Sequence, residues 1–127
     1  MITGIDHVQV AAPPNCEHEA RSFYGGLLGL KELEKPEPLK ARGGVWFSVG
    51  RQSLHVGVQA DFQPATKAHP AFRVDSPQAL DALAERLILA GVDIKWDDAI
   101  PWRFYTEDPW GNRLELLSSP SRPTTAH

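Results

Sequence analysis

A chain of 127 residues with 42% hydrophobic and 23% charged residues has the size and composition of one globular domain with a proper core. Its formal net charge of −3 gives no electrostatic ground for a nucleic acid or an anionic membrane as partner. No stretch approaches the roughly 20 apolar residues of a membrane span, and the N-terminus MITGIDHVQV lacks the basic, apolar pattern of a leader. The single cysteine, Cys16, excludes an internal disulfide and fits a reducing compartment, so a cytoplasmic location is expected. Cys16 stands near a helix start and is read as structural.

Gly4 to Ala12 alternates, with Val8 and Val10 on one face and His7 and Gln9 on the other, as in a half-buried strand. Pro13-Pro14-Asn15 breaks it and offers Asn15 as an N-cap. Ala20, Phe23, Tyr24, Leu27 and Leu28 form the apolar stripe of an amphipathic helix, with Gly29 as its C′ residue. Leu30 to Leu33 suits a short strand, and the Pro-rich segment from Lys35 to Gly44 suits a loop. Val45 to Val49 and Ser53 to Gln59 make a hairpin around Gly50-Arg51-Gln52. In it Trp46, Ser48, His55 and Gln59 point away from the apolar face.

Ala68 to Val74 is the next strand, although Pro70 suits an edge or a strand start better than a central position. Ser76-Pro77 is an N-cap followed by Pro at N1. The stripe Leu80, Leu83, Ala84, Leu87 and Ile88 then makes a second helix closed by Gly91. Val92 to Lys95 is a short strand. Arg103 to Glu107 and Arg113 to Leu117 form a closing hairpin whose turn, Asp108 to Asn112, uses Pro to fix φ and Gly to supply a positive one. Leu114 and Leu116 face the core, while Arg113, Glu115 and Leu117 face the other way. Residues 119–127 read as a flexible polar tail.

The two halves repeat. Each reads strand, helix, short strand, hairpin, and the helix stripes align at an offset of 60 residues, as do His55 and Glu115. His7 and His69 are offset by 62. The expected fold is therefore α+β: two tandem βαβββ modules, 1–60 and 67–118, in one domain over 1–118. They would form a curved, cup-like mixed sheet with the helices on its outer face.

The repeat sorts the polar residues. Of the five histidines, His18 lies off its helix stripe and His127 lies in the tail. His7, His69, His55 and Glu115 occupy only two positions of the repeat, first strand and last strand, all on the face opposite the apolar one. Three imidazoles and a carboxylate on one surface form the donor set of a divalent first-row metal such as Zn, Ni, Fe or Mn. Two His and one carboxylate already suffice for a metal, so His55 is either a fourth ligand or a polar wall. Gln9, Trp46, Ser48, Gln59, Arg73, Arg103, Tyr105, Glu107 and Arg113 share this parity. Arg73 and Arg103 could hold an anionic group by bidentate hydrogen bonding, and Tyr105 could donate a hydrogen bond. Arg113, beside a turn, reads as solvated. There is no Gly-rich phosphate loop, no GxSxG elbow and no paired-Cys zinc motif.

The opening Asp6-His7-Val8, the helix end Phe23-Tyr24 with Leu28-Gly29-Leu30, and the closing Asp108-Pro109-Trp110-Gly111-Asn112-Arg113-Leu114-Glu115-Leu116 resemble the vicinal oxygen chelate superfamily. That group spans glyoxalase I, methylmalonyl-CoA epimerase, extradiol dioxygenases, and fosfomycin- and bleomycin-resistance proteins. The resemblance covers Gly4 to Ser118 and implies metal ligands at His7, His55, His69 and Glu115. Glyoxalase I and the epimerase usually carry Glu or Gln where His55 stands. The dioxygenases and fosfomycin-resistance proteins use the triad matched by His7, His69 and Glu115. Bleomycin-binding relatives lack metal ligands, and the chain is too short for the usual two-domain dioxygenase.

The expected function is a divalent-metal-dependent enzyme of glyoxalase type, lyase or isomerase. Its small substrate would chelate the metal through adjacent oxygens, with Glu115 as catalytic proton shuttle. Arg73, Arg103, Tyr105, Trp46 and Gln9 are the candidate substrate contacts. The alternatives are a small-molecule binding or antibiotic-resistance protein, or a small dioxygenase. Each module supplies two of four ligands, so a complete site takes one first-half and one second-half module, from one chain or from two; short members of the superfamily mostly pair units across a dimer, so a homodimer is expected.

Overall fold

The computed structural model describes residues 1–120; the rest of the expected tail, with His127, lies outside the described residues. The fold is α+β, with two four-stranded mixed sheets of matching strand order. The chain divides into two compact units: Met1–Ala65 with Pro109–Asn112, and Thr66–Asp108 with 113–120.

In the first unit the order of elements is β1 (His7–Ala12), α1 (Glu17–Ala20), a π-helical stretch Arg21–Leu27, β2 (Lys31–Leu33), a 3-10 segment Glu37–Arg42, β3 (Val45–Val49) and β4 (Gln52–Val58). Across the sheet they lie β1-β4-β3-β2, with β1 parallel to β4 and the other pairs antiparallel. The register places Val10, Val56 and Val45 in one row and Val8, Leu54 and Phe47 in the next. Phe23 and Tyr24 from the helical segment join this core, Tyr24 fully buried and tilted against Phe47. Hydrophobic burial of this kind contributes about 25 cal/mol per Å² of apolar surface.

Four local expectations differ. Asn15 does not cap α1: it sits at φ 64, and Cys16 occupies the N-cap position without a side-chain hydrogen bond. Asn is among the few non-glycine residues that tolerate the left-handed region, so it turns the chain there instead. The helix widens to π geometry around Gly25-Gly26, with Leu28 N–H donating to the Phe23 carbonyl at 2.9 Å; two glycines hold α-helical geometry weakly. The expected loop between Lys35 and Gly44 contains a 3-10 turn, with Pro early in it and Lys40 paired to Glu37 and Glu34. Val8, expected in the core, is 39% exposed on edge strand β1.

The tip of the closing hairpin belongs to the first unit. Asn112, 2% exposed, accepts from Ala65 N–H at 3.0 Å and donates to the Ala11 carbonyl at 2.8 Å. Gly111 takes the positive φ that the turn requires, 92°.

The second unit runs β5 (Ala71–Arg73), α2 (Pro77–Leu89), β6 (Ile94–Trp96), β7 (Arg103–Glu107) and β8 (Arg113–Leu117), ordered β5-β8-β7-β6. Again the outer pair, β5 and β8, is parallel. The position of Pro70 is explained: β5 starts at Ala71, and Pro70, which has no N–H, contributes only its carbonyl, accepting from Glu115 N–H at 3.1 Å. Ser76 caps α2, its hydroxyl accepting from Ala79 N–H at 3.0 Å, with Pro77 at N1. The buried stripe of α2 is Leu80, Ala84 and Leu87; Ile88 is 56% exposed, so the stripe is narrower than the sequence pattern. Phe72, Leu116 and Phe104 form one core row of the sheet and Leu114 with Thr106 the next.

Candidate functional site

Register carries the repeat into each sheet. In the first unit Gln9, His55 and Trp46 form one row. In the second Ala71, Glu115 and Tyr105 form the equivalent row. His7 lies two residues before Gln9 and His69 two before Ala71. Each unit therefore presents one histidine, His7 at the start of β1 or His69 just before β5, beside one last-strand donor.

In the first unit the result is a stack of rings. His55, on the strand between β1 and β3, lies parallel to Trp46 (centroids 3.8 Å, planes 2° apart) and to His7 (4.1 Å, 14°). Burial, then the adjacent His7, pushes the His55 imidazole below its ordinary pKa, so the ring is neutral at pH 7 and has a lone pair to offer. Its Nε2 faces the Ser53 hydroxyl at 3.3 Å. His7 is half-exposed, and its Nδ1 donates to the Asp6 carboxylate at 2.9 Å. A carboxylate behind Nδ1 fixes the hydrogen there and leaves Nε2 as the free donor atom, the arrangement common for metal-binding histidines. The Gln9 amide lies against Gly57, where a Cβ would come within 2.7 Å of it.

In the second unit Nδ1 of His69 lies 2.8 Å from the Lys67 carbonyl, and Nε2 lies 3.0 Å from Glu115 Oε1. A carbonyl oxygen only accepts, so Nδ1 carries the hydrogen and the Nε2 lone pair is turned to a carboxylate oxygen. Two acceptor atoms at that separation require a proton or another cation to join them. Glu115 is 7% exposed. Its other oxygen meets Arg103 Nη1 at 3.5 Å. Arg103 is held mainly elsewhere, by Asp97 Oδ2 at 2.9 Å from Nε and 2.8 Å from Nη2. Asp97 itself accepts from Ile100 and Ala99 N–H groups, and these, with Arg103, hold its carboxyl below the usual range. Tyr105 stands edge-on to His69 (5.7 Å) under two guanidinium groups, Arg113 at 4.1 Å and Arg103 at 5.4 Å from its ring centre.

The structure thus brings His7 together with His55, Trp46 and the Gln9 row, and His69 together with Glu115, Tyr105 and Arg103. Arg73 stands exposed on β5 in the row of Leu117 and Arg103. Among the described residues no group of three or more His, Cys, Asp or Glu is placed to hold a metal ion; the four candidate ligands fall as two pairs, one in each unit. The donor set fits a divalent transition metal: two imidazoles oriented through Nδ1 by Asp6 and the Lys67 carbonyl, the His55 imidazole, and one buried carboxylate. Sequence reasoning missed Asp6, Asp97 and the contact between Arg113 and Tyr105. Asp6 had a signal in the Asp6-His7-Val8 motif and Arg113 in its shared strand parity with Glu115; Asp97 had none.

Residues 4–116 match the model of the Glyoxalase/Bleomycin resistance protein/Dioxygenase superfamily, and the chain belongs to that family. No curated protein matches the sequence. Among solved structures, a glyoxalase family protein from Bacillus anthracis is similar at 50% identity, with a TM-score of 0.88 over 94% of this chain and 98% of that one. Lactoylglutathione lyase from Agrobacterium tumefaciens shares the fold at 19% identity and a TM-score of 0.72, covering 93% and 95% of the two chains. So does a variant of the fosfomycin resistance protein FosX from Listeria monocytogenes, complexed with Mn(II) and 1S,2S-dihydroxypropylphosphonic acid, at 19% identity and a TM-score of 0.76 over 94% and 95%. No helix among the described residues is long and apolar enough to cross a membrane.

Proposed function

We propose that this chain is a divalent-metal-dependent enzyme, a lyase or isomerase, acting on a small substrate that offers adjacent oxygens. His7 and His55 of one copy and His69 and Glu115 of a second copy hold the metal, so that a homodimer completes the set. Modules 1–60 and 67–118 act as one domain, each contributing a pair, in a reducing cytoplasmic setting supported by the unpaired, buried Cys16. The observation that carries this reading is the 3.0 Å approach of His69 Nε2 to Glu115 Oε1, with Nδ1 already committed to Lys67. The FosX variant's Mn(II) complex supports a metal in a chain of this fold. Edge strands β1 and β5, with Ile5 63% and Val8 39% exposed, support a second copy.

The metal, when bound, supplies a Lewis acid for substrate oxygens. Glu115, on leaving the metal, takes a proton from the substrate and returns it, while Arg103, 3.5 Å from Oε2, keeps the carboxylate in place. Asp6 and the Lys67 carbonyl orient the two first-strand imidazoles. Trp46 and Tyr105 wall the surface on which the substrate lies, and Gln9 contacts it from β1.

The test is elemental analysis after reconstitution, followed by turnover on α-ketoaldehyde–thiol adducts, catechols and fosfomycin with each of Zn, Ni, Fe and Mn. About one tightly held ion per chain and turnover of one substrate class are expected. Absence of tightly held metal would overturn the enzyme reading, and metal without turnover on the panel would leave binding alone.

A further inference from the structure

Three arginines share the functional face of the second sheet, and they are not equivalent. Arg103 is already paired with Asp97 and Glu115. Arg73 stands exposed at the end of β5. Arg113 is half-buried, its guanidinium carbon 4.1 Å from the centre of the Tyr105 ring. Among the described residues its side chain makes no hydrogen bond or ion pair, and Glu107, its in-register neighbour on β7, is exposed.

A guanidinium resting on an aromatic ring loses part of its hydration and keeps its five N–H donors in the plane. Donors in that planar fork match the paired oxygens of an oxyanion. Arg113 and Glu115 are two residues apart on one strand and share its face, so their Cα atoms are separated by about 6–7 Å. That spacing suits one small molecule touching both.

We propose that Arg113, backed by Tyr105, is an oxyanion subsite that takes the carboxylate or phosphonate of an anionic substrate beside Glu115. Its role in substrate choice rests on the metal-enzyme reading; its capacity to hold the anion does not. Tyr105 is a positioning residue here, since its ring centre lies 4.1 Å from the guanidinium carbon and the ring takes none of the N–H groups as a hydrogen-bond acceptor.

The test is titration of the metal-free full-length protein and each variant with methylphosphonate and, separately, acetate by isothermal calorimetry, with the Arg113 side-chain Nε–Hε resonance followed by NMR in the wild type. Saturable movement of that resonance is expected with at least one anion, and the tighter one names the group. Arg113→Gln should weaken binding about 10-fold or more, the scale of a lost charged hydrogen bond. Arg113→Lys, which keeps the charge and the fold but not the planar fork, should recover only part of it. Tyr105→Leu should weaken binding while leaving metal content unchanged. An unmoved Arg113 resonance, or Arg113→Gln and Arg113→Lys proteins binding both anions as the wild type does, would overturn the subsite. A wild-type protein that holds no metal yet shows the Arg113 titration would remove the enzyme reading and leave the subsite standing.

Discussion

The indole of Trp46 lies parallel to the imidazole of His55, their centroids 3.8 Å apart and their planes 2° apart. The two residues are in register on β3 and β4, so the contact follows from strand pairing and fixes the plane of the His55 ring. Trp46→Leu should destabilise the protein by about 0.5–1.5 kcal/mol beyond the loss of buried area, and Trp46→Phe by less. Urea unfolding of the three proteins checks this; equal midpoints would show that the stack contributes nothing.

His55 is the position where this chain departs from the glyoxalase I pattern, and its charge matters. With imidazole there in place of a carboxylate, a divalent ion on this set keeps one net positive charge and favours an anionic partner. His55→Ala should lower metal affinity about 10-fold or more, the scale of losing even an outer partner of a ligand. Unchanged affinity by calorimetry would make His55 a wall and the site a three-ligand one. Glu115→Gln should abolish proton-transfer turnover altogether.

The Glu17 carboxylate accepts from Gly44 N–H at 2.7 Å, and that hydrogen bond is the main reason its carboxyl is held below the usual range. A group whose folded pKa is depressed stabilises the fold above its unfolded value, about 4.3, and loses that contribution as pH falls through the folded value. Glu17 is partly exposed, so Glu17→Gln should cost about 1 kcal/mol at pH 7. The gap from wild type should close as the pH is lowered through the acid range. A gap independent of pH in denaturant titrations would refute the assignment.

Gly44 itself takes φ +86°, and a Cβ there would meet the Val56 carbonyl oxygen at 2.2 Å. The clash is with backbone of the neighbouring strand, which has no room to give. Gly44→Ala should destabilise by about 3 kcal/mol or more, combining left-handed strain with displacement of β3 from β4. Thermal melts of this variant beside Gly4→Ala, whose Cβ would meet nothing within 4 Å, make the comparison.

Light scattering at micromolar concentration should give twice the chain mass. Ile5→Asp, placing a charge on the exposed apolar approach to edge strand β1, should shift the protein to monomer and reduce metal binding together. A monomeric wild type that holds metal as tightly would show that no second copy is needed.

The α+β pattern and its repeat were legible in the sequence because they rest on local periodicities. Alternation fixes which side of a strand a residue occupies, and so it separated His55 and Glu115 from Leu54, Val56, Leu114 and Leu116. The Ser76-Pro77 cap and the Gly111 turn are equally local. Only the tertiary structure decided which polar residues meet. Parity places Arg73, Arg103 and Arg113 alike; strand register and the approach of Asp97 engage Arg103 and leave Arg113 on Tyr105. Likewise no periodicity tells that Asp6 orients His7, that Lys67 turns the His69 lone pair to Glu115, or that Trp46 lies flat on His55. Those contacts depend on side-chain rotamers and cross-strand distances, which are set only when the strands pair.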